Sequence, residues 1–213
     1  RAREKYGYTE KFDIDLSLFR DPAISVESGE EFKPGVYGLQ DFLDHDFKIE
    51  WELEGLLSRA GLGLISGDPG VGKTQLCLQL GFCLALGEDK FLRWENKVGK
   101  RKVLFLSLEM AAPPLHHFLK TIASTYPDRQ TLNQNFKVLP EGLPLALDKD
   151  AGRAYLENLM SEYMPDVLIV DSLQRSMSKE MTDELSSKGV MEYLSLLRRK
   201  FKCSVVMIHH NRK

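Results

Sequence analysis

Eight consecutive residues, Gly67, Asp68, Pro69, Gly70, Val71, Gly72, Lys73 and Thr74, fit G-x-x-x-x-G-K-[ST] without a mismatch. Their types and spacing define a chemistry. Glycines let a loop turn so that successive backbone N–H groups point inward around phosphate oxygens. A helix starting at the lysine adds the partial positive charge of its first turn. Lys73 is then placed to reach β- and γ-phosphates, and the Thr74 hydroxyl to ligate Mg²⁺. Gln75 follows in the same turn and belongs to the nucleotide-contacting set. The competing reading is a glycine turn that only begins a core helix. Context argues against it, because the strand-like run LGLIS (62–66) comes before the loop and a helical pattern, Lys73–Leu86, comes after it.

Three other apolar runs end on groups that ionise. VLIVDS places Asp171 at a strand end, where a carboxylate can order the Mg²⁺ shell. A strand-ending Asp can equally be a turn residue, but a phosphate loop in the same chain favours the metal-shell role. LFLSLEM ends near Glu109. A carboxylate there could orient and deprotonate an attacking water, or it could be a solvated glutamate opening a loop; position alone leaves both open. The last run, CSVVMIHHNRK, carries His209 and His210 at its tip, followed by Arg212 and Lys213. A neutral imidazole offers one donor and one acceptor, which suits contact with phosphate or water. Surface histidines at the start of a loop are the alternative.

These groups need elements to hold them. Strand-like runs at 62–66, 102–110, 136–140, 166–172 and 203–210 alternate with helical patterns at 73–86, from about 113, at 150–164 and at 182–201. Continuous Val/Ile/Leu runs mark strands buried on both faces. Their alternation with helices predicts βαβ units, a mostly parallel sheet and a three-layer α/β fold. In such sheets ligands bind at the carboxyl ends of the strands, where the phosphate loop, Glu109, Asp171 and the histidines all fall. Residues 1–48 are polar and irregular, with short amphipathic pieces such as Leu39 to Leu43. They read as an arm or linker ahead of a core at 49–213.

Composition sets outer bounds. The chain has 213 residues, 43% of them apolar and 28% charged, with a net charge of −2. That is ordinary for one globular α/β domain, and bulk charge announces no nucleic-acid partner. No stretch approaches the roughly 18 apolar residues of a membrane span, and no signal peptide opens the sequence. Cys77, Cys83 and Cys203 sit in apolar runs without metal-ligand spacing, and read as reduced core residues of a cytoplasmic protein. Starting on Arg1 and ending at a strand tip, the sequence reads as a piece of a longer protein.

GDPGVGKT, LFLSLEM, VLIVDS and VVMIHHNRK, in that order, resemble the motifs of a RecA-type ATPase, within it the RepA-like hexameric replicative helicases and the DnaB helicase motor. The segment IEWELEGLLSRAGLGLISG resembles the lead-in of that group. The resemblance covers about residues 48–213 and implies a RecA-like sandwich whose last part lies beyond this sequence. It implies ATP and Mg²⁺ as cofactors, Glu109 as catalytic base, and a strand-tip sensor of the γ-phosphate. His209 aligns with the family's glutamine and is favoured over His210 as that sensor. It implies a plasmid, phage or bacterial setting and a homo-oligomer, most simply a hexameric ring, acting on single-stranded nucleic acid, with DNA favoured over RNA. Arg175 and Lys179, in the polar stretch 173–184 after Asp171, would then face nucleic acid; a solvated connection is the alternative. Arg212 and Lys213 are candidates for a finger reaching a neighbour's site.

Two other functions compete with the helicase motor. One is a regulatory ATPase resembling KaiC, in which nucleotide state drives assembly and nothing is unwound. The other is a small-molecule kinase, disfavoured because no Arg-rich lid is evident and Glu109 stands where a hydrolytic base would. Fold alone does not choose between motor and regulator.

Overall fold

In the computed structural model the apolar runs become five parallel strands with helices on both faces. Residues 24–26, 35–142, 145–178 and 184–210 are described, those at 24–26 and 184–187 by backbone alone. Strand β1 (Ile24–Val26) pairs antiparallel with β2 (Phe47–Ile49), with helix α1 (Leu39–Leu43) between them in sequence. Strands β3 (Trp51–Leu53) and β4 (Leu57–Ser58) form a hairpin. There follow β5 (Leu62–Gly67), α2 (Lys73–Leu86), the small hairpin β6 (Lys90–Phe91) and β7 (Trp94–Glu95), β8 (Val103–Ala111), α3 (Ala112–Ala123), α4 (Arg129–Asn135) and β9 (Phe136–Glu141). The chain continues with α5 (Asp150–Tyr163), β10 (Val167–Asp171), a 3-10 turn at Leu173–Ser176, α6 (Glu184–Phe201) and β11 (Ser204–His210). The central sheet has the order β5-β11-β10-β8-β9, and every pairing in it is parallel.

Side-chain parity divides the core in two. On one face Val103 and Phe105, Val167 and Ile169, and Val206 and Ile208 pack with α2, Ile122 and Ala123 of α3, and Leu132 of α4. On the other, Leu104, Leu106 and Leu108, Leu168 and Val170, and Val205 and Met207 pack with Leu156 and Met160 of α5 and with Val190, Leu194 and Leu197 of α6. This is the three-layer α/β arrangement expected from the alternation of runs. Strand β5 departs from the expectation of burial on both faces. It lies at the sheet edge, and its alternate residues Leu62 and Leu64 are exposed.

The helix boundaries follow local chemistry. Gly72 precedes α2 at φ 89° and Gly87 ends it at φ 71°, both in the left-handed region that costs glycine little. Proline occupies the first turn of α3, where its missing N–H is not needed. Helix α4 escaped the sequence pattern. It is seven residues long and held by Asp128, whose carboxylate accepts the Thr131 backbone N–H at 2.9 Å. The stretch 96–102 is anchored at both ends. Asn96 Oδ1 accepts from the Val98 and Gly99 backbone N–H groups at 3.1 and 3.0 Å. Arg101 Nε meets Glu52 at 2.6 Å, and Glu52 is only 1% exposed. Burial pushes the Glu52 carboxyl up from its ordinary value, and the Arg101 guanidinium opposes that. The described part of the 1–48 arm contrasts with this anchoring, since α1 buries none of its residues.

Candidate active site

The phosphate loop runs from the carboxyl end of β5 into α2. Gly70 and Gly72 take φ of 81° and 89°, and a Cβ built on either meets nothing within 4 Å. Both positions thus need glycine for backbone conformation and leave open space over the loop. Lys73 is buried, and its Nζ donates to the carbonyls of Gly67 at 2.8 Å and Asp68 at 2.7 Å. The ammonium is therefore held over the loop, in reach of any anion the loop cradles. Gln75, Asp68, Pro69 and Val71 are exposed around it.

Sheet order explains how distant residues meet. Strand β10 lies beside β8, with Asp171 opposite Ser107, and β11 lies beside β5, with His210 opposite Gly67. Parity then sorts the tips. Glu109 continues the series Val103, Phe105, Ser107; Asp171 continues Val167, Ile169; His210 continues Val206, Ile208. All three point to the α2 face. Thr74 Oγ1 donates to Asp171 Oδ2 at 2.7 Å, and His210 Nε2 meets Glu109 Oε2 at 2.9 Å. One ligand atom from each of Glu109, Asp171 and His210 lies within 4.8 Å of the others.

The preference for His209 is corrected by this parity. His209 continues the Val205, Met207 series on the α5–α6 face, opposite Ser66. Its Nδ1, like that of His210, has no partner among the described residues, so parity alone separates the two. The histidine brought to the two carboxylates is His210. Residues 173–178, the described start of the stretch after Asp171, are also more ordered than their polarity suggested. Leu173 and Ser176 are buried in the 3-10 turn, and Ser178 donates to Asp148 through both its N–H (2.9 Å) and its hydroxyl (2.6 Å). Arg175 is exposed on this turn. Gln174, which the sequence reading passed over, donates from Nε2 to the His210 carbonyl at 3.0 Å. Nothing in its residue type announced that contact. Lys179, Arg212 and Lys213 lie outside the described residues.

Asp171 tests whether the site suits a divalent cation. It is 3% exposed, and its Oδ1 has no hydrogen-bond partner among the described residues. Burial is the main influence raising its carboxyl above the ordinary range. The Thr74 hydroxyl lowers it, Glu109 raises it further, and His210 and Lys73 oppose. A buried carboxylate with an unused oxygen, beside a hydroxyl, is a hard-oxygen donor set that fits Mg²⁺. Thr74 and Asp171 would hold that ion, which when bound neutralises charge on the phosphates.

A stability consequence follows from the same observation. A carboxyl whose folded pKa is raised favours the fold below its unfolded pKa and costs stability as pH rises through the folded value. Ionising Asp171 is therefore a burden on the protein alone. Asp171→Asn should raise the thermal midpoint at pH 7. Thermal scans without Mg²⁺ or nucleotide should show the gain shrinking toward pH 4. A lower midpoint at pH 7 would contradict the account.

Burial also governs the thiols. Cys77, Cys83 and Cys203 are free and buried. Cys77, next to Asp171, is pushed up to about 12, by burial first and then by that charge. It is a packing residue and not a nucleophile.

Among the described residues no helix is long and apolar enough to cross a membrane. Comparison with curated protein sequences gives no significant match. Among solved structures, the KaiC-like protein PH0186 from the hyperthermophilic archaeon Pyrococcus horikoshii OT3 is similar in fold. The TM-score is 0.51 at 15% identity, over 75% of this chain and 65% of that one. The chain thus spans less than two thirds of that protein's length, and the likeness establishes a RecA-like fold. A phosphate loop on a five-stranded parallel sheet is the core of a RecA-type P-loop ATPase domain. The AAA domain family (AAA_25) matches residues 40–213, and the chain belongs to that family.

Proposed function

We propose that the chain is the ATP-hydrolysing motor core of a ring-shaped replicative DNA helicase, or of a related DNA-dependent ATPase. The observation that carries the hydrolytic part is the convergence of Lys73, Thr74, Asp171 and Glu109 on one face of the sheet. The loop N–H groups and Lys73 bind and orient the β- and γ-phosphates. Glu109 accepts the proton of the attacking water as its oxygen bonds the γ-phosphorus, and the bond from that phosphorus to the β-phosphate oxygen breaks, releasing ADP and inorganic phosphate. The helicase part rests on the likeness of the four motifs to the RepA-like and DnaB group, and on the exposed Arg175 directly after the metal-shell strand.

The test is the ATPase rate of the full-length protein with and without single-stranded DNA. Stimulation of tenfold or more is expected, falling steeply as salt rises because phosphate contacts release counterions. Parental turnover without any response to DNA would favour the regulatory, KaiC-like reading instead.

Assembly offers a second expectation. Head-to-tail contacts close into rings when the rotation closes, and a RecA-type site is completed by a neighbour. Sedimentation of the full-length protein with ATP and Mg²⁺ should show a closed oligomer, with a hexamer as the expected size. A monomer with undiminished DNA-stimulated turnover would overturn the shared-site reading.

A further inference from the structure

We infer that His210 is a positioning residue for Glu109, fixing the carboxylate at the place where a water must be deprotonated. The inference rests on the reading of Glu109 as the base and goes beyond it by naming what holds that base. Glu109 stands near the open end of β8 with 43% of its side chain exposed. A glutamate so exposed samples several rotamers, and most of them carry its oxygens into solvent. Among the described residues only His210 hydrogen-bonds it, at 2.9 Å through Nε2, and that contact draws the carboxylate in beside Asp171. One oxygen is used as the anchor and the other stays free to accept a proton.

His210 can anchor Glu109 because its backbone is itself held, while its Nδ1 has no partner among the described residues. Its backbone sits in register with Gly67 of the phosphate loop on one side of β11. On the other side its carbonyl accepts from Gln174 at 3.0 Å, which ties it to the turn following Asp171. Its ring is one-fifth exposed. The imidazole thus links the strand that starts the phosphate loop to the strand that carries the base. Lys73, held on the Gly67 and Asp68 carbonyls, and the loop N–H groups are the phosphate-binding set, and the task inferred for His210 is a different one.

The experiment measures kcat and MgATP affinity for His210→Ala and His210→Gln, each in the native protein and in the Glu109→Gln background. Losing the anchor gives back the rotamer freedom of one glutamate, so His210→Ala should lower kcat roughly tenfold. ATP affinity should change less than about twofold, which also reports an intact fold. His210→Gln keeps an N–H donor of similar reach and should restore a large share of the lost rate. In the Glu109→Gln background His210→Ala should cost nothing further, because a residue acting through another has no effect once that other is gone. Equal losses in both backgrounds would overturn the inference and make His210 a direct phosphate contact. A rise in turnover on His210→Ala would also overturn it, showing that the histidine restrains Glu109. If Glu109→Gln alone hydrolyses ATP at the parental rate, the base assignment fails first, and that result is distinct from either outcome.

Discussion

Lys73→Ala should abolish nucleotide binding. In the native protein, ATP at a hundred times its dissociation constant stabilises the fold by about 2.7 kcal/mol. For a domain of this size that raises the thermal midpoint by roughly 5–10 °C. In the Lys73→Ala protein the shift should vanish at the same ATP and Mg²⁺ concentrations. The reason is local. The ammonium is buried and held by the carbonyls of Gly67 and Asp68, so it is the fixed positive charge over the loop. Gly70 and Gly72 set the loop's shape through their own backbone conformation, and the substitution does not touch them. What is lost is the charge with its two bonds to the loop carbonyls, and not the glycine conformations that shape the loop. A Lys73→Ala protein that still shows the full ATP-induced shift would sink the phosphate-loop assignment.

The fold was legible because its strands are buried on both faces. An unbroken apolar run such as VLIVD has one physical explanation in a chain of alternating runs, a central strand of a parallel sheet. The helix ends were marked by residues with strong local preferences, such as Gly87 and the prolines that open α3. Helix α4 was missed because its few residues carry little periodicity, and one Asp–Thr cap holds its start. The anchoring of 96–102 was not legible because its charges find partners far away in sequence. Arg101 meets Glu52 across 49 positions, which no local pattern encodes.

The site was legible to the extent that a single strand tip determines a role. The glycine spacing, Lys73, Thr74, Glu109 and Asp171 all lie at carboxyl ends that the run boundaries locate. The choice between the two histidines needed the face of β11 relative to its neighbours. Within β11 alone, His209 and His210 are equivalent, pointing to opposite sides. Their difference appears only when β11 is placed between β5 and β10, so that His210 shares a face with Glu109 and Asp171. Alignment by residue type to the glutamine of related ATPases favoured His209, which the sheet places on the face opposite Glu109 and Asp171. Register between strands is set by packing over the whole sheet, and a one-residue slip exchanges the faces.

Glu109→Gln should keep ATP binding and lose hydrolysis by roughly 10²–10⁴-fold, the usual size of a general-base contribution. The amide has nearly the same shape and can still meet the His210 ring, since either its oxygen accepts or its nitrogen donates to a suitable tautomer. It cannot take a proton from water. The groups that hold the nucleotide are untouched: Lys73 on its two carbonyls, Thr74 on Asp171. Binding and chemistry should therefore separate cleanly in this variant, with the full ATP-induced thermal shift and almost no phosphate release. Asp171 adds a second signature. Glu109 is one of the charges that raise its carboxyl, so neutralising Glu109 should ease the ionisation of Asp171 and leave Mg²⁺-dependent ATP affinity equal to or tighter than the native value. The measurement is a pair of assays on one preparation: ATP titration followed by thermal shift, and single-turnover phosphate release. Parental release would move the base elsewhere. Loss of both binding and release would mean that Glu109 supports the site's structure and not its chemistry.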